Sequence, residues 1–389
     1  MAIGTMFGMG GTSVISRALG EGKREYAKKV CSFCMWSCVI VGIITIILFQ
    51  VFMDNILSLI GASPDTWELA KTYLSIVVCC GPFVLISSCY SNILRAEGQS
   101  GKAMMGQLIG NVVNIILDPI MILGFGWNVA GAAIATVIGY ICGAGYYIWY
   151  FLKGNSILSI NIKDFTVKNK VCKNVLIIGI PAALGALLMS VSQIIINVQM
   201  AEYGDMAIAG MGVALKVVMI TGMICMGLGQ GIQPLLGYCV GAKTWGRFKK
   251  IFRTSTLYAL VLGIVLTAVC YLFVNQIVSV FLTDITAFDY AVRFARILMT
   301  TSFLFGVFYV LIYTLQAMGV ATASLIDNLS RQGIIFIPVL LILKSVSGLN
   351  GIVWAQPVAD ILAIVLAVIL YARAYKTMKA ETEKSIRNS

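Results

Sequence analysis

Apolar residues run along this chain in blocks of about twenty or more, with short polar stretches between them. The blocks predict eleven helices at 1–19, 31–53, 69–94, 103–124, 130–152, 173–199, 206–239, 253–274, 288–317, 324–344 and 350–373. At a rise of 1.5 Å per residue, even the first and shortest of these, about 28 Å long, reaches across a bilayer core. No basic segment precedes the first block, so it does not read as a cleavable signal.

The pattern occurs twice. Displaced by 221 positions, the chain aligns with itself without gaps over about ninety residues. Gly8, Gly10, Gly20, Lys28 and Lys29 fall on Gly229, Gly231, Gly241, Lys249 and Lys250, and Gly42 and Gly98 on Gly263 and Gly319. Further on the register slips by a residue, and Gly131 pairs with Gly351. Apolar residues match by chance in such a chain, but glycines and lysine pairs at one offset do not. Duplicated halves are a feature of transporters, in which two similar bundles move about a central site. The second copy, from Lys173 to Tyr371, holds six blocks. An even number keeps both copies in one orientation, with a pseudo-twofold axis along the membrane normal. The first copy has no counterpart of the segment that begins at Lys173. The repeat thus predicts a first lobe short of its first helix and part of its second, about 49 residues. A misplaced start, a cut chain or a natural asymmetry would each account for this.

These patterns predict an all-α polytopic membrane protein of two similar six-helix lobes, the first incomplete at its N-terminal end. The expected divisions are an N-terminal lobe at 1–152, a basic inter-lobe loop at 153–172, a C-terminal lobe at 173–375 and a polar tail at 376–389.

Composition agrees: 59% of residues are hydrophobic and 11% charged, with mean hydropathy +0.93. Charge gives the orientation. The segments 20–30, 95–102, 153–173, 241–253 and 373–389 carry 21 of the 28 Lys and Arg. The opposite loops, 54–68, 125–129, 200–205 and 275–287, carry none and hold Asp54, Asp65, Glu68, Glu202, Asp205 and Asp284. The basic side is expected in the cytoplasm, with the C-terminus. The net charge of +12 is then a matter of topology and of the anionic inner leaflet, and does not imply nucleic acid.

The chain has no histidine, which removes His-based triads, His zinc sites and His proton relays. Cys31 and Cys34 form a CxxC, but Cys38 continues the same helix face, so the three read as a packed or lipid-facing stripe. No nucleophile, base or metal constellation suggests an enzyme. The Gly-rich stretches GMGGTSVISRALGEGKREYAKK and GLGQGIQPLLGYCVGAKTWGRFKK match no phosphate-binding motif. Close helix packing and helix bending during gating both account for them.

Several segments, in order, resemble the MATE family of multidrug and toxic compound extrusion transporters. ISRALGEGKREYA (Ile15 to Ala27) is similar to the end of the family's helix two, ILRAEGQSGKAM (Ile93 to Met104) to its loop between helices four and five, and NIILDPIMILGFGWNVAGAAIAT (Asn114 to Thr136) to helices five and six. GLGQGIQPLLGYCVGA (Gly227 to Ala242) resembles the end of helix eight and SRQGIIFIPVL (Ser330 to Leu340) helix eleven. The wording is most similar to the bacterial DinF-like subgroup. The resemblance implies twelve helices in two lobes around a cavity, absence of helix one and half of helix two, and export of cationic or amphipathic compounds against inward H⁺ or Na⁺. It implies no other cofactor.

Ionisable groups inside spans are costly, about 2.5–3.5 kcal/mol at mid-helix on insertion scales, and so form the shortlist. Asp118 stands first. Pro119 follows it and frees a nearby carbonyl, and a carboxylate beside free carbonyls suits a proton or Na⁺. The resemblance also marks this aspartate as a coupling candidate; capping of a kinked helix is the plainer alternative. Asn111 and Asn114 share its helix face, as ligands, hydrogen-bond partners or packing groups. The second lobe departs from the acid-bearing helices seven and ten of some family members: Met189 stands near the expected acid, and 303–315 holds none. It has Lys216, Asp327, Arg331 and Asp360 instead. Asp327 and Arg331 are spaced i,i+4, which predicts a pair along one face, with Asp360 joining an intramembrane ion-pair network or serving substrate. Gln193, Asn197, Lys216, Gln230 and Gln233 are the expected lining of a second-lobe substrate cavity.

The function these features imply is a secondary active multidrug efflux transporter. It would act as a monomer in the bacterial inner membrane, exchanging drugs or toxic metabolites bound between the lobes for H⁺ or Na⁺. A flippase for lipid-linked saccharides and a truncated inactive remnant are the rival readings.

Overall fold

A computed structural model of the protein describes residues 2–59, 66–154, 156–168 and 170–387, and no strand occurs among them. Asp65 and the last residues of the tail, 388–389, lie outside the described residues. In chain order the helices are α1 Ala2–Gly20, α2 Arg24–Val51, α3 Met53–Leu59, α4 Trp67–Cys79, α5 Gly81–Ala96, α6 Ser100–Pro119 and α7 Asn128–Leu152. After them come α8 Val171–Ala201, α9 Asp205–Gly241, α10 Trp245–Leu272, α11 Val274–Ser279, α12 Ile285–Leu298, α13 Phe305–Met318, α14 Ala321–Leu329 and α15 Phe336–Arg387. Wider π-helical turns follow α6, at Ile120–Gly124, and α14, at Ser330–Ile334.

The sequence repeat reappears as a repeat of helix boundaries. α1 and α9 end 221 positions apart, α2 and α10 start and end 221 apart, and α6 and α14 begin 221 apart. Helices α4 and α5 meet at a bend of 59°, and their equivalents, α12 and the stretch Ser302–Met318, at 46°. The matched glycines have matched duties. Gly98 and Gly319 carry φ of 86° and 76° just beyond α5 and α13, a left-handed conformation that a residue without Cβ adopts readily. Gly42 lets α2 touch α5 so closely that a Cβ would lie 2.6 Å from Pro82, and its equivalent Gly263 does the same against the Phe303 backbone.

The residues divide into two compact units, Met1–Gly179 and Ile180–Ser389, with the boundary inside α8. In the first, Ile15, Cys31, Cys34, Tyr90, Ile93 and Leu94 are fully buried where α1, α2 and α5 meet. The start of α8 belongs to this unit: Val171 and Val175 join its core, and Gly179 lies against the Met6 carbonyl of α1. The cysteine stripe is packed, with Cys31 Sγ 3.6 Å from Tyr90 Oη and Cys34 Sγ donating to the Phe7 carbonyl at 3.6 Å. The second unit has one core around Met211, Phe294 and Phe336 and another around Leu236, Phe248 and Leu315.

Outward faces are apolar as well. Ile43, Ile47 and Leu48 on α2, Ile115 and Ile116 on α6, and Leu257, Val261 and Val265 on α10 are all exposed, as suits contact with lipid. Among the described residues seven helices are long and apolar enough to cross a membrane, or up to nine if each bent pair is one span. The protein is therefore a multi-pass membrane protein. Three expectations change in form. The expected spans 69–94 and 288–317 are bent pairs rather than straight rods. Those at 324–344 and 350–373 form one helical stretch, with a kink at Gly348 (φ 55°, ψ −130°) between them. The expected span 1–19 corresponds to α1, which is not among the seven: it is rich in Gly, Ser and Thr, and much of it is buried within its unit.

Candidate functional site

The first unit contains a cavity of about 350 Å³ between α5, α6 and α7. Its walls carry Ser87 and Ser88 from α5, Gln107, Asn111 and Asn114 from α6, and Thr136 and Tyr140 from α7. Glycine brings the last two helices together. A Cβ on Gly110 would lie 2.9 Å from the Gly139 carbonyl oxygen, and one on Gly139 would lie 2.7 Å from that of Gly110. Close approach of this kind is what small residues four apart permit in lipid, and Gly106/Gly110 and Gly139/Gly143 are two such pairs.

That approach lets Asn114 reach across. Its Nδ2 donates to Asp118 Oδ1 and to Thr136 Oγ1, at 3.4 Å each. The Thr136 hydroxyl in turn donates to the Ala132 carbonyl at 2.9 Å. Both contacts of Asn114 are long and correspondingly weak, and the one to Thr136 spans the two helices, so a small shift of α6 against α7 makes or breaks it. Asp118 is half-buried, and Pro119 and the π-helical turn come directly after it. In that turn the Phe125 amide reaches back five residues to the Ile120 carbonyl, at 3.0 Å. The sequence-predicted trio thus stands along one stretch of α6: Asn111 and Asn114 line the cavity, and Asp118 is tied to it through Asn114. Sequence reasoning missed Ser87, Ser88, Gln107, Thr136 and Tyr140. The two paired-glycine motifs were the signal that α6 and α7 press together there.

In the second unit the expected pairing of Asp327 with Arg331 does not form. Arg331 Nε instead bonds Asp360 Oδ1 at 2.8 Å. Asp360 also accepts from Gln356 Nε2 at 3.0 Å and from Thr301 Oγ1 at 3.4 Å. The guanidinium lies 4.7 Å from the ring centres of both Phe305 and Phe308 and 5.9 Å from that of Tyr309. Asp327 is fully buried, and neither of its oxygens has a hydrogen-bond partner among the described residues. The i,i+4 spacing supplied a possible partner, but α15 brought a carboxylate that the guanidinium reaches with better geometry.

Of the five expected cavity residues of this unit, two on α9 bond side chains of α13 and three are exposed. Gln230 Nε2 donates to Tyr313 Oη at 3.2 Å, and Gln233, buried, donates to Gln316 Oε1 at 3.3 Å. Lys216 is exposed, with its ammonium 5.2 Å from the centre of the Phe281 ring. Gln193 and Asn197 are exposed on α8.

One ionisable group outside the spans is held tightly. Glu97 Oε1, just beyond α5, accepts from Ser156 Oγ at 2.7 Å and from the Ile157 amide at 2.6 Å. It thereby ties that turn to the basic loop after α7. Burial pushes its carboxyl above the ordinary value, against the opposing effect of these hydrogen bonds. Among the described residues no group of three or more His, Cys, Asp or Glu is placed to hold a metal ion.

Comparison with known proteins gives a consistent result. A family model described as MatE matches residues 1–120 and 181–342. The multidrug export protein MepA of Staphylococcus aureus (strain MRSA252) is 31% identical over 386 residues, 99% of this chain and 85% of that protein. MepA of Staphylococcus haemolyticus is 34% identical over 373 residues, 95% of this chain and 81% of that protein. Among solved structures, an outward-facing multidrug resistance MATE family transporter of the MOP superfamily superposes with a TM-score of 0.92 at 22% identity, over 97% of this chain and 85% of that one. A MOP superfamily transporter from Pyrococcus furiosus gives the same values. At that identity the likeness speaks for the two-lobed helical fold.

Proposed function

The chain belongs to the MatE family of transporters, and from that premise we propose that it is a secondary active multidrug exporter. It would take cationic or amphipathic compounds from the cytoplasm and release them outside in exchange for H⁺ or Na⁺. The observation that carries this reading is the likeness to MepA over nearly the whole chain, 31% identity across 99% of its residues. The basic loops and tail would face the cytoplasm.

Asp118 is the proposed coupling residue, with Asn111 and Asn114 as its partners. The cavity beside it is polar, and its weak amide bridge responds to the charge of the carboxylate. Binding of a cation at Asp118 removes that charge and relaxes the hold of Asn114. The adjacent Pro119 and wide turn give the helix a place to change shape. Alternating access then arises from two arrangements of the same helices, each favoured by one occupancy of the site.

The flippase reading wants a cationic cavity for an anionic lipid-linked sugar. Arg331 is already neutralised by Asp360, which favours the exporter. Expression in bacteria stripped of their own efflux pumps separates the two. The exporter raises resistance to cationic dyes and drugs and leaves cell-wall precursor flipping unchanged. Rescue of precursor flipping without any change in drug resistance would overturn it.

A further inference from the structure

The polar cavity of the first unit has a charged counterpart in the second. At the offset of 221, Asp327 and Arg331 stand where Gly106 and Gly110 stand, and at the later offset of 220, Asp360 stands where Tyr140 stands. Gly106, Gly110 and Tyr140 all line the first cavity. The helix register agrees as far as the π-helical turn, since α14 begins 221 positions after α6. Two carboxylates and one guanidinium therefore occupy the place that small and polar residues occupy in the first copy.

The charges of this trio do not balance. Arg331 is committed to Asp360 at 2.8 Å. Asp327, one helical turn before Arg331, is left fully buried with neither oxygen partnered among the described residues. Helix α14 packs against α13, the π-helical turn and α15. The charged or titratable groups that these bring to this place are Tyr309, Arg331 and Asp360. With all three ions charged, the buried trio carries one net negative charge, on an oxygen pair that accepts no hydrogen bond among the described residues and that Arg331, bonded to Asp360, favours only through space. A lone buried ion is too costly to persist and is neutralised. A proton needs a single lone pair, whereas Na⁺ needs several oxygens around it, and no group of three or more His, Cys, Asp or Glu among the described residues is placed to hold a metal ion.

We infer that Asp327 is a proton-binding residue of the second unit, carrying its proton while Arg331 is held by Asp360. When Arg331 turns toward Asp327, that carboxyl gives up its proton and Asp360, left without the guanidinium, takes one up, so the buried trio stays neutral and the protonated position moves from one carboxylate to the other. The wide turn at Ser330–Ile334 contains Arg331 and lends this movement backbone freedom. Ser192 Oγ donates to the Gln332 carbonyl of that turn, so loosening it does not strand a buried acceptor. The use of this proton in transport rests on the exporter reading above; the site itself does not.

The test is infrared spectroscopy of the purified full chain at neutral pH, read at the carbonyl stretch of protonated carboxyl groups. Wild type is expected to show such a band, sensitive to deuterium exchange, that Asp327→Asn removes and Asp327→Glu shifts. The Glu variant keeps the test alive should the Asn variant fail to fold. Absence of the band from wild type, or its persistence unchanged in both variants, overturns the proposal. Loss of the band on replacing choline chloride by sodium chloride at constant pH also overturns it, because the site would then be a Na⁺ site. Proteoliposome transport separates the site from its use. If the band behaves as expected but Asp327→Asn exports drug with an unaltered response to a pH gradient, the coupling role fails and the exporter reading stands.

Discussion

Removing both carboxylates around Arg331 should cost far more than the two single removals combined. The pair of Arg331 with Asp360 lies inside the second unit, with Asp360 only 2% exposed. Stripping a buried charge of its partner costs about 3–5 kcal/mol. Asp327→Asn should cost close to nothing, since no hydrogen bond is lost. Asp360→Asn should cost about 1.5–3 kcal/mol, the worth of a hydrogen bond to a charged group, because Asp327 can ionise and take over the guanidinium. In the double variant Arg331 keeps only its aromatic neighbours Phe305, Phe308 and Tyr309, worth about 0.5–2 kcal/mol, and most of the penalty appears. The excess over additivity is then about 2 kcal/mol, within the range seen for groups in one network. Denaturant unfolding in detergent, followed by the fluorescence of the six tryptophans, measures all four members of the cycle. Arg331→Met in the double-variant background should restore most of the loss. Additive costs would show that Asp327 and Asp360 do not share Arg331, and would refute the reasoning.

The other predictions concern the first unit. Gly139→Ala places a Cβ 2.7 Å from the Gly110 carbonyl, so α6 and α7 must part; overpacking of this kind costs about 1–3 kcal/mol. Melting should show the loss, and efflux should fall, because the Asn114 to Thr136 contact opens; wild-type melting and efflux would contradict the close approach. Glu97, raised by burial, keeps its proton in the folded chain over a pH range where the unfolded chain has lost it. The stability this supplies is complete below the unfolded value and is lost as pH rises through the folded one. Glu97→Gln mimics the protonated form, so its melting temperature should gain on wild type as pH rises from acid to neutral, and a gap independent of pH would contradict this. Glu97→Ala should loosen the loop after α7, seen as faster proteolytic cleavage there.

Much of this was legible because a repeat constrains a sequence twice. The glycines at 98 and 319 could be matched before their left-handed conformations were seen, and the starts of α6 and α14 share the same offset. Asp118, Asn114 and Asn111 share a helix face by spacing alone, and that face does meet a polar cavity. What the spacing did not contain was the neighbour across the helix pair. Thr136 reaches Asn114 only because two glycines let backbones touch, which depends on the rotation of α7. Arg331 illustrates the same limit: the i,i+4 rule sees Asp327, while its partner is set by the register of α15, nearly thirty residues on. Lys216 had no partner on its own helix, and the ring of Phe281 comes from a segment distant in sequence.

The measurement that tests the central claim most directly is gradient-driven transport in proteoliposomes, comparing wild type with Asp118→Asn. With an inward H⁺ or Na⁺ gradient imposed, wild type should move a fluorescent cationic substrate against its own gradient. Asp118→Asn should insert and bind substrate but transport it only down its gradient. Uphill transport by Asp118→Asn at the wild-type rate would contradict the assignment of Asp118 as the coupling residue.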